Sequence, residues 1–252
     1  MKIQPTLDPP TDDNFPSGAT DKTTDGAPAM NDDIDVVVKT DDVSRTFGHG
    51  PGAVVAVHGA SCVLHRGDLV ALSGASGSGK TTLLNLLAGL DIPTTGTVSW
   101  PAIGDRDQLR PGPVAVVFQA PSLLPPLNVV ENVSLPLLLA GTPSPAATPA
   151  AEQALDRLGL GSLAAKLPEE LSGGQAQRVA VARALAGQPK LILADEPTGQ
   201  LDHGNAALVI DALITAATSL DAALVVNTHD LSVSDQFPLR WTMIDGRLET
   251  SR

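Results

Sequence analysis

The stretch GASGSGKT, Gly74 to Thr81, constrains this chain more than any other part of it. It fits G-x-x-x-x-G-K-[ST] in full, between a short apolar run, LVALSG, and a leucine-rich one, TTLLNLLAGL. The first run has the length of a buried strand and the second the periodicity of a helix. Glycines at 74, 77 and 79 let the loop curl until successive backbone N–H groups converge, and the following helix adds the positive end of its dipole. Such a nest holds an anion. In this motif the N–H groups of Gly77, Ser78, Gly79 and Lys80 face β-phosphate oxygens, with Gly74, Ala75, Ser76 and Thr82 completing the loop. Lys80 reaches the β- and γ-phosphates, and the Thr81 hydroxyl suits Mg2+.

Around this loop apolar runs alternate with helical patterns. DVVVK and AVVAVHGASCVL read as strands, as do GTVSW, VAVVFQ, KLILAD and AALVVNTHD. Helical spacing covers residues 128 to 139, about 151 to 158, and 175 to 185, while GTPSPAATPA, Gly141 to Ala150, reads as loop. WTMIDGRLE closes the chain as a hairpin whose Asp245-Gly246 suits a type I′ turn. The expected fold is α/β, a mainly parallel sheet with helices, joined by an antiparallel β lobe and a helical lobe at about residues 120–175.

Composition limits what this fold does. Residues 1–35 hold eight Asp against two Lys, a net of −6 out of −12 for the chain, with five prolines and few apolar residues. They read as a disordered acidic tail before a domain at 36–252. Met1 to Pro10 has no apolar core of a signal peptide, and no apolar run reaches 18 residues, so the chain is expected to be cytoplasmic and not to span a membrane. The acidic balance argues against a nucleic-acid backbone as partner. Cys62 stands alone, which excludes a disulfide framework and a thiolate metal cluster.

Ligands of parallel α/β sheets bind at the C-terminal ends of strands, and three runs here end on polar groups. LILADE puts Asp195 and Glu196 at such an end, where they either cap the turn that PTG forms or serve Mg2+ and an attacking water. His229 in VVNTHD is either structural or a partner of the γ-phosphate or water. Gln119 follows VAVVF and is a solvated loop residue or an amide-oxygen ligand for Mg2+ or water.

LSGGQ, Leu171 to Gln175, poses a separate question. Ser172 alone makes an adequate helix cap, yet Gly173 and Gly174 follow it at an entropic cost. Either the helix start is flexible, or an anion approaches bare backbone there. No acid, base or nucleophile stands beside it.

Together these motifs resemble the ATP-binding cassette ATPases: the phosphate loop, Gln119, LSGGQ, LILADEPTG, Leu201-Asp202 and His229 follow that family's order over about Val36 to Leu248. The resemblance implies ATP and Mg2+ as cofactors, ATP hydrolysis with Glu196, Gln119 and His229 as catalytic groups, and Thr81, Gln119 and Asp195 at the metal. It also implies a head-to-tail dimer in which Ser172, Gly173, Gly174 and Gln175 of one chain face the γ-phosphate on the other, with Asp202 coupling the two sites. Phe47 takes the adenine-stacking position, where the family often has Tyr; this chain has no Tyr. The segment from Gly96 to Phe118 is shorter than in many relatives, and Ala176 stands where Gln or Glu is frequent. GLDIPTTGTV, FQAPSLLPPLNVVENVSLPLLLAG and DEPTGQLD look most like the branch that powers lipoprotein release, macrolide export and FtsE-type cell-division signalling. A transmembrane permease partner follows, and with it a peripheral location on the inner face of the cell membrane. The alternative is an FtsE-like regulatory ATPase that signals through a membrane complex without transport. A DNA-repair or translation ATPase is disfavoured by the absence of a coiled coil, a second cassette or a basic surface.

Overall fold

The computed structural model describes residues 35–251, so the acidic tail expected over 1–35 lies outside the described residues except for Asp35. Two sheets carry the fold. Strands β1 (Val36–Phe47), β2 (Val54–His65) and β4 (Thr95–Ser99) make an antiparallel sheet in the order β2-β1-β4. The second sheet runs β5-β6-β7-β3-β8-β9. In it β3 (Leu69–Gly74), β5 (Val114–Val117), β6 (Leu191–Asp195), β7 (Ala223–Asn227) and β8 (Leu239–Ile244) are parallel, and β9 (Arg247–Ser251) pairs antiparallel at the edge.

The parallel strands are continuous apolar runs because helices cover both faces. Their side chains alternate between two clusters. Val70, Leu72, Leu191, Leu193, Ala223 and Val225 pack with Leu83 and Leu87 of α1 (Lys80–Leu87). Ala71, Ile192, Ala194, Leu224 and Val226 pack instead with Ile210 and Leu213 of α5 (His203–Leu220). The period of two carries on to Asp195 and Asn227, which therefore fall on the α1 face beside the phosphate loop. Cys62 is buried in the first of these clusters. Burial pushes its thiol up to about 11, so it serves as a small core residue and not as a nucleophile.

A third cluster belongs to the helical lobe. Val129 and Val133 of α2 (Val129–Leu139) and Ala151 and Leu155 of α3 (Ser144–Arg157) close on Val179 and Ala182 of α4 (Gly173–Ala186). Here the loop expected over Gly141–Ala150 is corrected: α3 starts at Ser144 and carries Pro149 inside it. Pro145 falls in the first turn, where its missing N–H costs nothing, and buried Ala147, Ala151 and Leu155 keep the i, i+4, i+8 spacing of one helix face. Packing of that face overrides the turn-like composition. The short connection after β4 also has a structural task, because Trp100 Nε1 donates to the Leu87 carbonyl (2.8 Å), and Arg106 Nε to that of Gly89 (2.9 Å). Arg110 donates to the Ala88 carbonyl as well. These donors satisfy the carbonyls at and just beyond the end of α1, two of them from cations that favour a helix C-terminus.

Pro149 is exposed and withholds an N–H from the helix interior. Pro149→Ala is expected to stabilise the chain by about 1–3 kcal/mol in urea unfolding; a destabilised variant contradicts this account of α3.

Candidate functional site

The phosphate loop is shaped by contacts on both sides. Gly74 has φ +145, and a Cβ there would lie 2.3 Å from the Met243 carbonyl oxygen. Gly79 has φ +101, and its Cβ would lie 2.1 Å from the Ala56 carbonyl oxygen. Strand β2 and the β8–β9 hairpin thus press the loop into place, helped by His58 N–H to Gly246 O (2.8 Å) and Gly246 N–H to Ser78 O (3.1 Å). Lys80 is buried and its ammonium donates to the carbonyls of Gly74 (2.9 Å) and Ala75 (2.8 Å), drawing the loop round itself. Ser76, Gly77, Lys80, Thr81 and Thr82 line a cleft of about 210 Å³ that Glu196 and Asn227 complete.

At the strand ends the expected residues converge. Thr81 Oγ1 donates to Asp195 Oδ2 (2.8 Å), and Asn227 Nδ2 donates to Asp195 Oδ1. Glu196 adopts φ +45, a strained conformation for a side chain of its size, and its N–H bonds the Asn227 carbonyl (3.0 Å). Gln119 Nε2 donates to Glu196 Oε2 at 3.4 Å, while His229 Nδ1 stands 3.9 Å from Oε1. Gln119 and His229 therefore flank opposite oxygens of one carboxylate, and the Gln119 amide oxygen is left for another ligand. No group of three or more His, Cys, Asp or Glu among the described residues can hold a metal by itself. A cation at Thr81 and Asp195 would need phosphate oxygens or water to fill its shell, as Mg2+ in nucleotide sites does.

LSGGQ is built differently. Ser172 caps α4: its Oγ accepts from Gln175 N–H (3.3 Å), and Gln175 Oε1 accepts from Ser172 N–H (3.0 Å). The two glycines are not equivalent. A Cβ on Gly174 would lie 2.6 Å from Cγ of Asn205, whereas one on Gly173 meets nothing within 4 Å among the described residues. Asn205 is in turn held by Asp202, whose carboxylate accepts from its backbone N–H (2.9 Å) and from Nδ2 (2.7 Å). Those bonds, the backbone one first, hold the Asp202 carboxyl below its usual range. Ser172 to Gln175 line neither the cleft at Lys80 nor the one at Glu196 and His229. Phe47 ends β1 partly exposed, with the Arg45 guanidinium 4.3 Å from its ring centroid, so one face of the ring is covered.

Three contacts escaped the sequence reading. Asn227 is one, signalled only by a polar residue at the end of the apolar run AALVVN. The others join α4 to the segment around Gln119. Buried Gln177 donates to the Phe118 carbonyl (3.0 Å), and Arg183 to those of Ser122 (2.8 Å) and Pro121 (3.0 Å).

A strand-loop-helix nest around a buried lysine, with an Asp-Glu pair at the end of a parallel strand one removed in the same sheet, defines a P-loop nucleoside triphosphatase. Residues 57–199 match the family model described as ABC transporter. Lipoprotein-releasing system ATP-binding protein LolD of Pseudomonas fluorescens is 42% identical over 215 residues, 82% of this chain and 94% of that protein. An uncharacterised ABC transporter ATP-binding protein of Escherichia coli, YbbA, is 38% identical over 84% of this chain and 96% of its own length. The dimeric post-hydrolysis structure of the ATP-binding cassette MJ0796, bound to ADP and Pi, superposes with a TM-score of 0.75 at 34% identity, covering 85% of this chain and 99% of that one. The chain belongs to the ABC transporter family, as an ATP-binding, ATP-hydrolysing subunit.

Lys80→Ala removes the buried ammonium around which the loop closes. A fluorescent ATP analogue is expected to bind roughly 10–100-fold more weakly, the range for loss of charge-assisted hydrogen bonds; unchanged affinity in titration contradicts the phosphate-loop assignment.

Proposed function

We propose that two copies of this chain close head to tail on two ATP molecules and thereby drive a separate membrane permease. Gly173 carries this reading. Nothing among the described residues requires its lack of a side chain, and Ser172 beside it is exposed, so the open backbone is available to a group from outside. Glu196, Gln119 and His229 meet around a different cleft, leaving Ser172–Gln175 without a reacting group of their own. A second copy supplies each half with the other. The dimeric state in which MJ0796 was solved supports this arrangement.

In each site the phosphate-loop N–H groups and Lys80 hold the β- and γ-phosphates, and the partly exposed face of Phe47 receives adenine. Thr81, Asp195 and the free amide oxygen of Gln119 would hold Mg2+, which would supply positive charge to neutralise the phosphates. Glu196 orients and deprotonates the attacking water, steadied by Gln119 on one oxygen and His229 near the other. Asp202, through Asn205 and Gly174, ties one site to the clasp of the next. The ATPase domain spans 36–252, with the helical lobe at about 120–175.

No helix among the described residues is long and apolar enough to cross a membrane. We place the chain at the inner face of the cell membrane, held there by a permease of the kind served by the lipoprotein-releasing relatives. The rim after Gln119 is the contact. There Leu123 packs into the helical-lobe cluster, but Leu124 is exposed. Leu124→Glu is expected to abolish co-purification of membrane proteins with the tagged chain while leaving its melting temperature unchanged; retained co-purification removes this rim from the interface.

Glu196→Gln keeps the shape of the site and removes the base, so ATP is expected to bind without turnover. The uncleaved nucleotide then holds two chains together, and size-exclusion chromatography shows a monomer-to-dimer shift with Mg-ATP. Adding Ser172→Arg abolishes that shift and spares ATP binding. Turnover at the wild-type rate overturns Glu196 as base, and an ATP-bound Glu196→Gln monomer overturns the clasp.

A further inference from the structure

Asn227 is 1% exposed, at the end of a strand whose other four residues are apolar and buried. Strand pairing sets it directly opposite Asp195 on one side and Leu72 on the other, on the face that carries α1 and the phosphate loop. Burying an amide there is costly unless its hydrogen bonds are made. Half of them are. Nδ2 donates to Asp195 Oδ1, the oxygen that Thr81 does not use, and this carboxylate partner fixes which end of the amide is nitrogen. Oδ1 is thereby turned the other way, fully buried and without a partner among the described residues, in a side chain that lines the cleft with Lys80, Thr81 and Glu196. The same residue's backbone carbonyl holds the N–H of Glu196.

We propose that Asn227 is a positioning residue for the cation site: its buried amide N–H fixes the Asp195 carboxylate toward Thr81. The proposal rests on the Mg2+ reading above. A carboxylate that meets a metal is usually itself hydrogen-bonded, because the bond sets its rotamer before the ion arrives. Thr81 cannot do this alone, since its hydroxyl is also a candidate ligand. Asn227 can, because it stands one strand away, buried and in fixed register. Through its carbonyl the same residue also restrains the backbone of Glu196, so the groups for cation and water are aligned from one point.

The test titrates Mn2+ into the protein saturated with a non-hydrolysable ATP analogue and reads the bound ion by electron paramagnetic resonance. Asn227→Val suits the strand but has neither amide group. Its complex is expected to bind Mn2+ roughly 10–100-fold more weakly than wild type, with analogue affinity in EDTA within about twofold of wild type. A folded Asn227→Val with wild-type Mn2+ affinity overturns the proposal; if that variant does not fold, the same result from Asn227→Ser overturns it. A wild-type complex that holds Mn2+ no more tightly than the free nucleotide does would instead overturn the cation reading itself, and the proposal with it.

Discussion

The parallel register of β3, β7 and β6 is the constraint on which the rest of this site depends. Leu72, Asn227 and Asp195 stand in one row across the sheet, and Gly74 begins the phosphate loop two residues beyond Leu72. Because all three strands point the same way, every chain exit lies at one edge. Because side chains alternate along each strand and this row has the parity of the residues packed on α1, all three face the helix that carries Lys80 and Thr81. An antiparallel pairing would have sent neighbouring strands' ends to opposite edges. A one-residue slip would have turned Asp195 away from the loop toward α5. The apolar packing of Leu191, Leu193, Ala223 and Val225 against α1 fixes the register and therefore also fixes the chemistry.

Helix α4 extends this edge outward. Its first turn presents Ser172 and Gly173, its middle holds the Phe118 carbonyl through Gln177, and Arg183 grips Pro121 and Ser122. Gln119 lies between those attachments and reaches Glu196. The same helix packs Val179 and Ala182 into the helical lobe. Any displacement of Gln119 would therefore be felt by α4 through its bonds to Phe118, Pro121 and Ser122. A rotation of the lobe also moves the Ser172 end, since a helix of this length transmits displacement as one body.

Much of this was legible in the sequence, and the illegible parts share a cause. The phosphate loop, the Asp195-Glu196 strand end and the Asp245-Gly246 turn are set by local chemistry: glycine torsions, a buried apolar run, a turn that needs positive φ at Asp245 and Gly246. Helix α3 was not legible from Ser144 to Ala150, because Pro145, Thr148 and Pro149 favour turns locally and only the distant partners of Ala151 and Leu155 reward the helix. Asn227, Gln177 and Arg183 each act on a residue 32 to 62 positions away. Spacing along one segment carries no signal for such pairs. The rule that strand ends share one edge reached further than spacing, since it sets Gln119 and His229 on the same edge as Glu196, where they lie 3.4 and 3.9 Å from its carboxylate.

The glycine pair shows how a motif divides its duties. Two adjacent glycines invite one explanation, but only Gly174 is crowded, by an Asn205 that Asp202 holds in place. A side chain there would push the start of α5 away from α4, so the constraint on Gly174 is internal and concerns the folded monomer. Gly173 meets open space, and a methyl group would cost the monomer nothing while adding helix propensity. Stability alone would favour alanine at 173 and still forbid it at 174. Gly173 therefore leaves the backbone N–H groups at this helix start uncovered, which is the feature on which the proposed clasp by a second copy rests.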